Sequence, residues 1–169
     1  MKIKYADILG EELIKRRETI AVAESVTSGA LQAALSQAEN AARFYEGGIT
    51  TYNLPQKVKH FDVDFAHGVQ CNCVSGEIAV DMAAGCIKLF ESNWGIGITG
   101  YASPVPELDI NELYAYYAIV HNENVVKTGL LRSGKKSAVD AQEDYTGQIL
   151  RLASEVVKTG ISVKSNNEQ

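Results

Sequence analysis

Apolar residues recur at helical spacing at Ala6, Leu9 and Leu13, with Ile8 beside them, and the basic run Lys15-Arg16-Arg17 follows where the negative end of a helix favours cations. This pattern predicts a first helix. Thr19 to Ala23 is a short, partly β-branched apolar run, as expected of a strand covered on both faces. It leads straight into the polar stretch Glu24-Ser25-Val26-Thr27-Ser28-Gly29. Strong helix formers from Ala30 to Gln37 then predict that this turn opens a helix, whose first backbone N–H groups, lacking partners, make an anion site possible.

Asn40 to Tyr45 reads as a short helix or turn, and Gly47 to Tyr52 as a strand entered through a glycine pair. Asn53-Leu54-Pro55 breaks that strand, and a proline tolerated in a first turn predicts a short helix from Pro55 to Phe61 with Lys57 near its start. Cys71 and Cys73 alternate along an extended-looking stretch. Ser75 is placed to cap a helix that carries Glu77 in its first turn and Ile78, Met82, Cys86, Leu89 and Phe90 as an apolar stripe, ending near Ser92-Asn93. Trp94 to Thr99 is a second buried strand, followed by an irregular stretch from Tyr101 to Asp109.

Leu113 to Val120 and Val125 to Leu131 flank the turn residues His121 to Asn124, the pattern of an antiparallel hairpin. Tyr145, Ile149, Leu152 and Val156 then share one face of a long last helix. Helices and strands alternate first and a hairpin comes later, so the expected fold class is α/β, a three-layer α/β/α domain with a mixed sheet. A single domain is expected over residues 1–162, with 163–169 a disordered tail.

Composition narrows the function. With 169 residues, 46% of them hydrophobic, the chain can bury a core without disulfide or metal staples. A net charge of -5 with scattered basic residues gives no footprint for DNA, RNA or an anionic membrane, so neither nucleic acid nor membrane is an expected partner. The start lacks the basic head and long apolar run of a signal peptide, which leads to an expectation of a cytoplasmic protein. Three cysteines are poor disulfide arithmetic, and His60, His67 and His121 are dispersed, so no metal site is expected and the thiols read as ordinary buried ones.

Ligands of open α/β sheets gather beyond the carboxyl ends of strands, and that edge should display the Ser25 turn, the segment from Tyr52 to Lys57 and the Thr99-Gly100 loop. Ser25 is the candidate nucleophile, because oriented N–H groups at a strand-to-helix junction stabilise the oxyanion formed on attack at a carbonyl. No histidine lies near it in sequence. Lys57 can serve as its base where burial lowers the amine's pKa. On the residues alone a second reading stays open, in which Ser25, Thr27 and Ser28 cap a helix and Lys57 is a solvated first-turn residue.

Four ordered blocks resemble the C-terminal domain of the CinA family. Ala23-Glu24-Ser25-Val26-Thr27-Ser28-Gly29 is similar to its A-E-S-C-T-G-G stretch, and the run from Gly47 to Lys57 to its G-G-x-x-x-Y-S-N-E-x-K stretch. Val74 to Ala79 resembles V-S-E-E-V-A, and Ile98 to Pro104 resembles V-T-G-I-A-G-P. The resemblance implies hydrolysis of the carboxamide of nicotinamide mononucleotide, a pyridine nucleotide, to the acid and ammonia by a serine–lysine pair. Carried over, Ser25 attacks, Lys57 takes its proton and Tyr52 shapes or polarises the site. Backbone N–H groups near Thr27, Ser28 and Gly29 hold the oxyanion or the phosphate, Glu24 orders the turn, and Thr99 and Gly100 close the pocket. It implies no cofactor, and it suggests a homodimer or larger homo-oligomer.

Departures from the family pattern leave two further readings open. Ser28 stands where the family has a glycine, and Tyr101 to Glu112 contains none, where the family has a glycine-rich loop that can cradle phosphate. Glu107, Asp109 and Glu112 would repel a phosphate if they faced it. Ser133-Gly134-Lys135-Lys136 replaces a G-D-R, leaving Lys135 as a candidate substrate contact. The alternatives are a repurposed nucleotide-binding or interaction module without the activity, and an amidohydrolase of another small amide.

Overall fold

Strand β1 (Ile20–Glu24) is buried at every residue in the computed structural model, which describes residues 2–160. It lies between β2 (Tyr45–Thr50) and β3 (Trp94–Gly100), parallel to both. Strands β4 (Leu113–His121) and β5 (Asn124–Ser133) continue the sheet as an antiparallel hairpin, giving the order β2-β1-β3-β4-β5. The sheet is therefore mixed, as the sequence pattern predicts.

Alternate residues of each strand serve different layers, the geometric consequence of a period of two. Ile20, Val22, Ile96, Ile98, Tyr117 and Ile119 pack with α1 (Lys2–Arg16), α2 (Ala30–Ser36) and α6 (Ala138–Thr159), through Leu9, Leu13, Leu31, Leu35, Tyr145 and Ile149. On the opposite face Ala21 and Ala23 meet Phe61 of α3 (Leu54–Phe61) and Ile78, Met82 and Cys86 of α5 (Gly76–Phe90). Here β3 presents Gly95 and Gly97, where a Cβ would collide with the carbonyl oxygens of Ala83 and Ala79 respectively. Helix α5 thus lies directly on the backbone of β3, which fixes the height of that layer.

Several details differ from the sequence pattern. Strand β2 begins at Tyr45 and releases Thr51 and Tyr52 before Asn53 caps α3. A short helix, α4 (Phe65–Gln70), was not signalled by periodicity because six residues give too few turns to show one. Cys71 and Cys73 do not alternate along an extended segment, since Cys71 ends α4 and Asn72 and Cys73 take left-handed φ values of 50° and 62°. Only Cys86 is a buried thiol; Cys71 and Cys73 are partly exposed. Leu89 is exposed and leaves the α5 stripe, while Phe90 packs against it.

The stretch expected to be irregular holds a 3-10 turn, Pro106–Leu108, closed by a bridge between Val105 and Ile110. The hairpin turn is two residues, Asn122 and Glu123, tighter than expected. The tail expected to be disordered lies outside the described residues. Among the described residues, no helix is long and apolar enough to cross a membrane.

The close seat of α5 on β3 gives a direct stability test. Gly97→Ala should lower the free energy of unfolding by about 1–3 kcal/mol, the usual cost of overpacking a filled core, measured by urea denaturation. An unchanged midpoint would mean that the two elements are not in backbone contact.

Candidate active site

The turn that follows β1 is built from within. Glu24 ends the strand fully buried, and its carboxylate accepts hydrogen bonds from the N–H groups of Gly29, Leu31 and Gln32 at 3.0, 3.0 and 2.7 Å. This negative charge occupies the positive end of α2, a favourable placement for an anion. The segment between is forced into a tight reversal, with Ser28 at φ 49° and Gly29 at φ 100°. The Ser28 N–H returns to the Ser25 carbonyl and the Ala30 N–H to that of Thr27. The start of α2 is therefore not the open anion site that its position in the sequence suggests.

Ser25 is held at the strand end by its own N–H, which donates to Ile98 of β3 at 3.1 Å. Its Oγ receives the Lys57 Nζ at 2.9 Å, and the same Nζ donates to the Thr51 carbonyl at 2.7 Å. Lys57 reaches this point because Asn53 accepts the Gln56 N–H as N-cap of α3, which sets the first turn so that Lys57, the fourth residue after the cap, is buried. The lysine is fully buried, and among the described residues no carboxylate pairs with it. Burial pushes its pKa down from 10.5 to about 8, against a smaller opposing effect of the Cys73 thiol. A neutral amine is thus available near physiological pH, directed at a serine hydroxyl.

Ser25 and Lys57 open onto a cavity of about 690 Å³ at the carboxyl edge of β1 and β3. Tyr52, Thr99 and Gly100 also line it, so these candidate residues converge as the sequence suggests. Tyr52 stands at the mouth, 80% exposed, and does not touch the dyad through any hydrogen bond among the described residues. The Thr99 hydroxyl is occupied, donating to the Cys73 carbonyl at 2.7 Å and fixing the left-handed turn that forms one wall.

Other candidates are placed elsewhere. Glu24 lies behind the turn, with its oxygens spent on α2, so it positions the site and does not line the cavity. Thr27, Ser28 and Gly29 do not line the cavity either; the Ser28 and Gly29 N–H groups are already bonded and Ser28 faces solvent. What remains for an oxyanion is the N–H of Val26, which lines the cavity and has no hydrogen-bond partner among the described residues. Lys135 lines a separate groove beside Asp140, Asp144 and Arg151. Asp109 and Glu112 lie along another groove with Arg132, and none of Glu107, Asp109 and Glu112 faces the Ser25 cavity.

Sequence reasoning missed two parts of the wall. Gly68, Val69 and Asn72, from α4 and its end, form one side, and Ala138 and Gln142 of α6 approach from far along the chain. The Asn72 side chain ties to the Tyr101 hydroxyl at 3.2 Å, closing the wall across the cavity. Asp64, which caps α4 through the His67 N–H, was the available signal for the first. Nothing local in sequence reveals the second. Among the described residues no group of His, Cys, Asp and Glu is placed to hold a metal ion.

The sequence profile of the CinA C-terminal domain matches residues 2–152. A CinA-like protein of Trichodesmium erythraeum is 32% identical over 124 residues, covering 73% of this chain and 29% of that protein. A CinA-like protein of Synechocystis is 36% identical over 121 residues, covering 70% of this chain and 29% of that protein. The chain thus spans less than a third of the length of these curated relatives. Among solved structures, a competence-damaged protein (CinA) superfamily protein of Klebsiella pneumoniae aligns with a TM-score of 0.87 at 22% identity, over 94% of this chain and 99% of that one. That likeness shows the three-layer fold.

An uncompensated buried amine should be visible in stability. Between about pH 8 and its ordinary value of 10.5, Lys57 is protonated in the unfolded chain and neutral in the folded one. Stability contributed by this residue therefore rises with pH across that window and is lowest below it. Lys57→Met should remove the slope and raise stability at pH 7 by up to about 3 kcal/mol, less the contribution of the two lost hydrogen bonds. Urea unfolding at pH 7 and pH 9.5 checks this; a variant less stable at pH 7 with the slope intact would contradict it.

Proposed function

Because the chain belongs to the CinA C-terminal domain family, we propose that it is an amidohydrolase in which Ser25 and Lys57 hydrolyse a pyridine carboxamide. The substrate implied by the resemblance is nicotinamide mononucleotide, converted to nicotinic acid mononucleotide and ammonia. The observation that carries this reading is the 2.9 Å contact between the Lys57 Nζ and the Ser25 Oγ in a buried setting that opens onto a cavity and holds no counter-ion among the described residues. A serine used only as a helix cap needs no such partner, and a solvated lysine would not be buried.

The chemistry follows from the geometry. The Thr51 carbonyl anchors one Nζ–H and leaves the lone pair of neutral Lys57 facing the Ser25 hydroxyl. As the Ser25 Oγ bonds to the amide carbon, Lys57 takes its proton and the carbonyl electrons move onto oxygen, where in this reading the unpartnered Val26 N–H stabilises the charge. Lys57 then delivers that proton to the departing nitrogen, the C–N bond breaks, and ammonia leaves an acyl ester on Ser25. Water attacks the ester as Lys57 takes its proton, and the same proton returns to the Ser25 Oγ as the acid is released. One water is consumed and the site is restored.

Purified protein should release ammonia from nicotinamide mononucleotide, with a rate that rises with pH through about 8 as Lys57 loses its proton. Ser25→Ala should reduce kcat by roughly 10³-fold or more while leaving the circular dichroism spectrum and unfolding midpoint near those of the parent. Lys57→Arg should be comparably severe, since a guanidinium does not give up its proton at neutral pH. Undiminished turnover in a folded Ser25→Ala variant would remove the nucleophile.

A further inference from the structure

A negative oxygen formed at a carbonyl is best held by more than one preorganised donor, and a single such donor is worth about 10²–10³ in rate. The Ser25 turn supplies one. The Val26 N–H lines the cavity without a partner among the described residues, while those of Ser25, Ser28 and Gly29 are bonded within the fold. A second donor has to come from another segment of the wall.

The polar groups of the wall differ in what they have left to give. The Thr99 hydroxyl is spent on the Cys73 carbonyl, and the Asn72 amide donates to the Tyr101 hydroxyl. Gln142 and the Ala138 N–H belong to α6, which carries neither member of the dyad. Asn53 is placed differently. It lines the cavity as N-cap of α3, four residues before Lys57, and its carbonyl accepts the Lys57 N–H at 3.2 Å. Residues four apart lie one turn from each other on the same side of a helix, so a single turn presents both the base and the Asn53 side chain to the cavity.

The Asn53 amide is also oriented. The atom that accepts the Gln56 N–H at 3.1 Å has to be its oxygen, because the amide nitrogen is a donor only. The Nδ2 is thereby fixed on the other branch of the same planar group, with no partner among the described residues. Asn53 is exposed, so this donor carries no burial cost before substrate enters. No acidic residue stands in the first turn of α3, and the positive end of that helix reinforces the donor. The start of α2, in contrast, is neutralised by Glu24.

We propose that the Asn53 side-chain amide is the second oxyanion donor, acting with the Val26 N–H on the negative oxygen that forms when Ser25 attacks the carboxamide. This rests on the amidohydrolase reading and adds a catalytic residue to it. The similar family stretch G-G-x-x-x-Y-S-N-E-x-K has a serine at this position, so a helix cap is common to both and the amide is this chain's own.

The test measures kcat and KM for ammonia release from nicotinamide mononucleotide by the parent protein, Asn53→Ser and Asn53→Asp, with urea unfolding of each. Asn, Ser and Asp cap helices about equally well, so the unfolding midpoints should stay close together. The one oxygen of serine, engaged on the cap, stops a bond short of the amide nitrogen, and aspartate puts an anion where negative charge forms. Asn53→Ser should lower kcat by about 10²-fold with KM near that of the parent, because the bond is made only in the transition state. Its rate should still rise through about pH 8, as expected with Lys57 undisturbed. Asn53→Asp should lose more, through repulsion of the oxyanion. A kcat within about twofold of the parent in either folded variant would overturn the proposal. So would losses that only follow lowered unfolding midpoints in both variants, which would assign Asn53 to capping alone. Absence of release from the parent protein would overturn the amidohydrolase reading itself, and this proposal with it.

Discussion

The burial of one amine with no counter-ion among the described residues is the constraint around which this structure is arranged. Lys57 sits with no exposed surface, its Nζ held between the Thr51 carbonyl and the Ser25 hydroxyl. A charged ammonium in that position is costly, and a carboxylate beside it would offset the cost but fix the proton. The fold instead supplies neutral acceptors, so the amine sheds its proton more readily, toward about 8. Each element at this edge serves that arrangement: β1 delivers Ser25, the end of β2 delivers Thr51, and the Asn53 cap of α3 turns Lys57 inward.

Glu24 supports the same site from behind. Its carboxylate spans the first turn of α2 and so holds the chain from Ser25 to Gly29 in a reversal that includes two left-handed residues. Charge is thus divided across the turn, with the anion buried against helix N–H groups on one side and the amine on the other. The division leaves the cavity wall nearly free of charge and keeps the Val26 N–H unengaged beside the nucleophile. Nucleophile activation follows from where these two groups are placed.

Much of this was legible in the sequence. Apolar, β-branched runs and a hairpin pattern located the five strands, period-3.6 patterns the long helices, and the breaks at Gly29, Asn53 and Gly100 the sheet edge where the site forms. Ser25, Lys57, Tyr52, Thr99 and Gly100 are found together there. The resemblance implies that Glu24 orders the turn, but only the fold shows the three acceptor bonds to α2 by which it does so. The α4 wall was hidden because six residues carry too little periodicity, and Gln142 because a lining residue on a distant helix leaves no local pattern. The sequence left open whether the acidic groups of the glycine-free loop face the pocket; Glu107, Asp109 and Glu112 do not line it.

The central claim, a serine activated by a buried neutral lysine, can be tested without knowing the substrate. The rate at which a sulfonyl fluoride modifies the protein would be followed against pH, with the modified residue located by mass spectrometry. The account predicts modification at Ser25, with a rate that climbs through about pH 8 to a plateau as Lys57 becomes neutral. Modification elsewhere with Ser25 untouched, or a rate at Ser25 that does not change across that range, would contradict it.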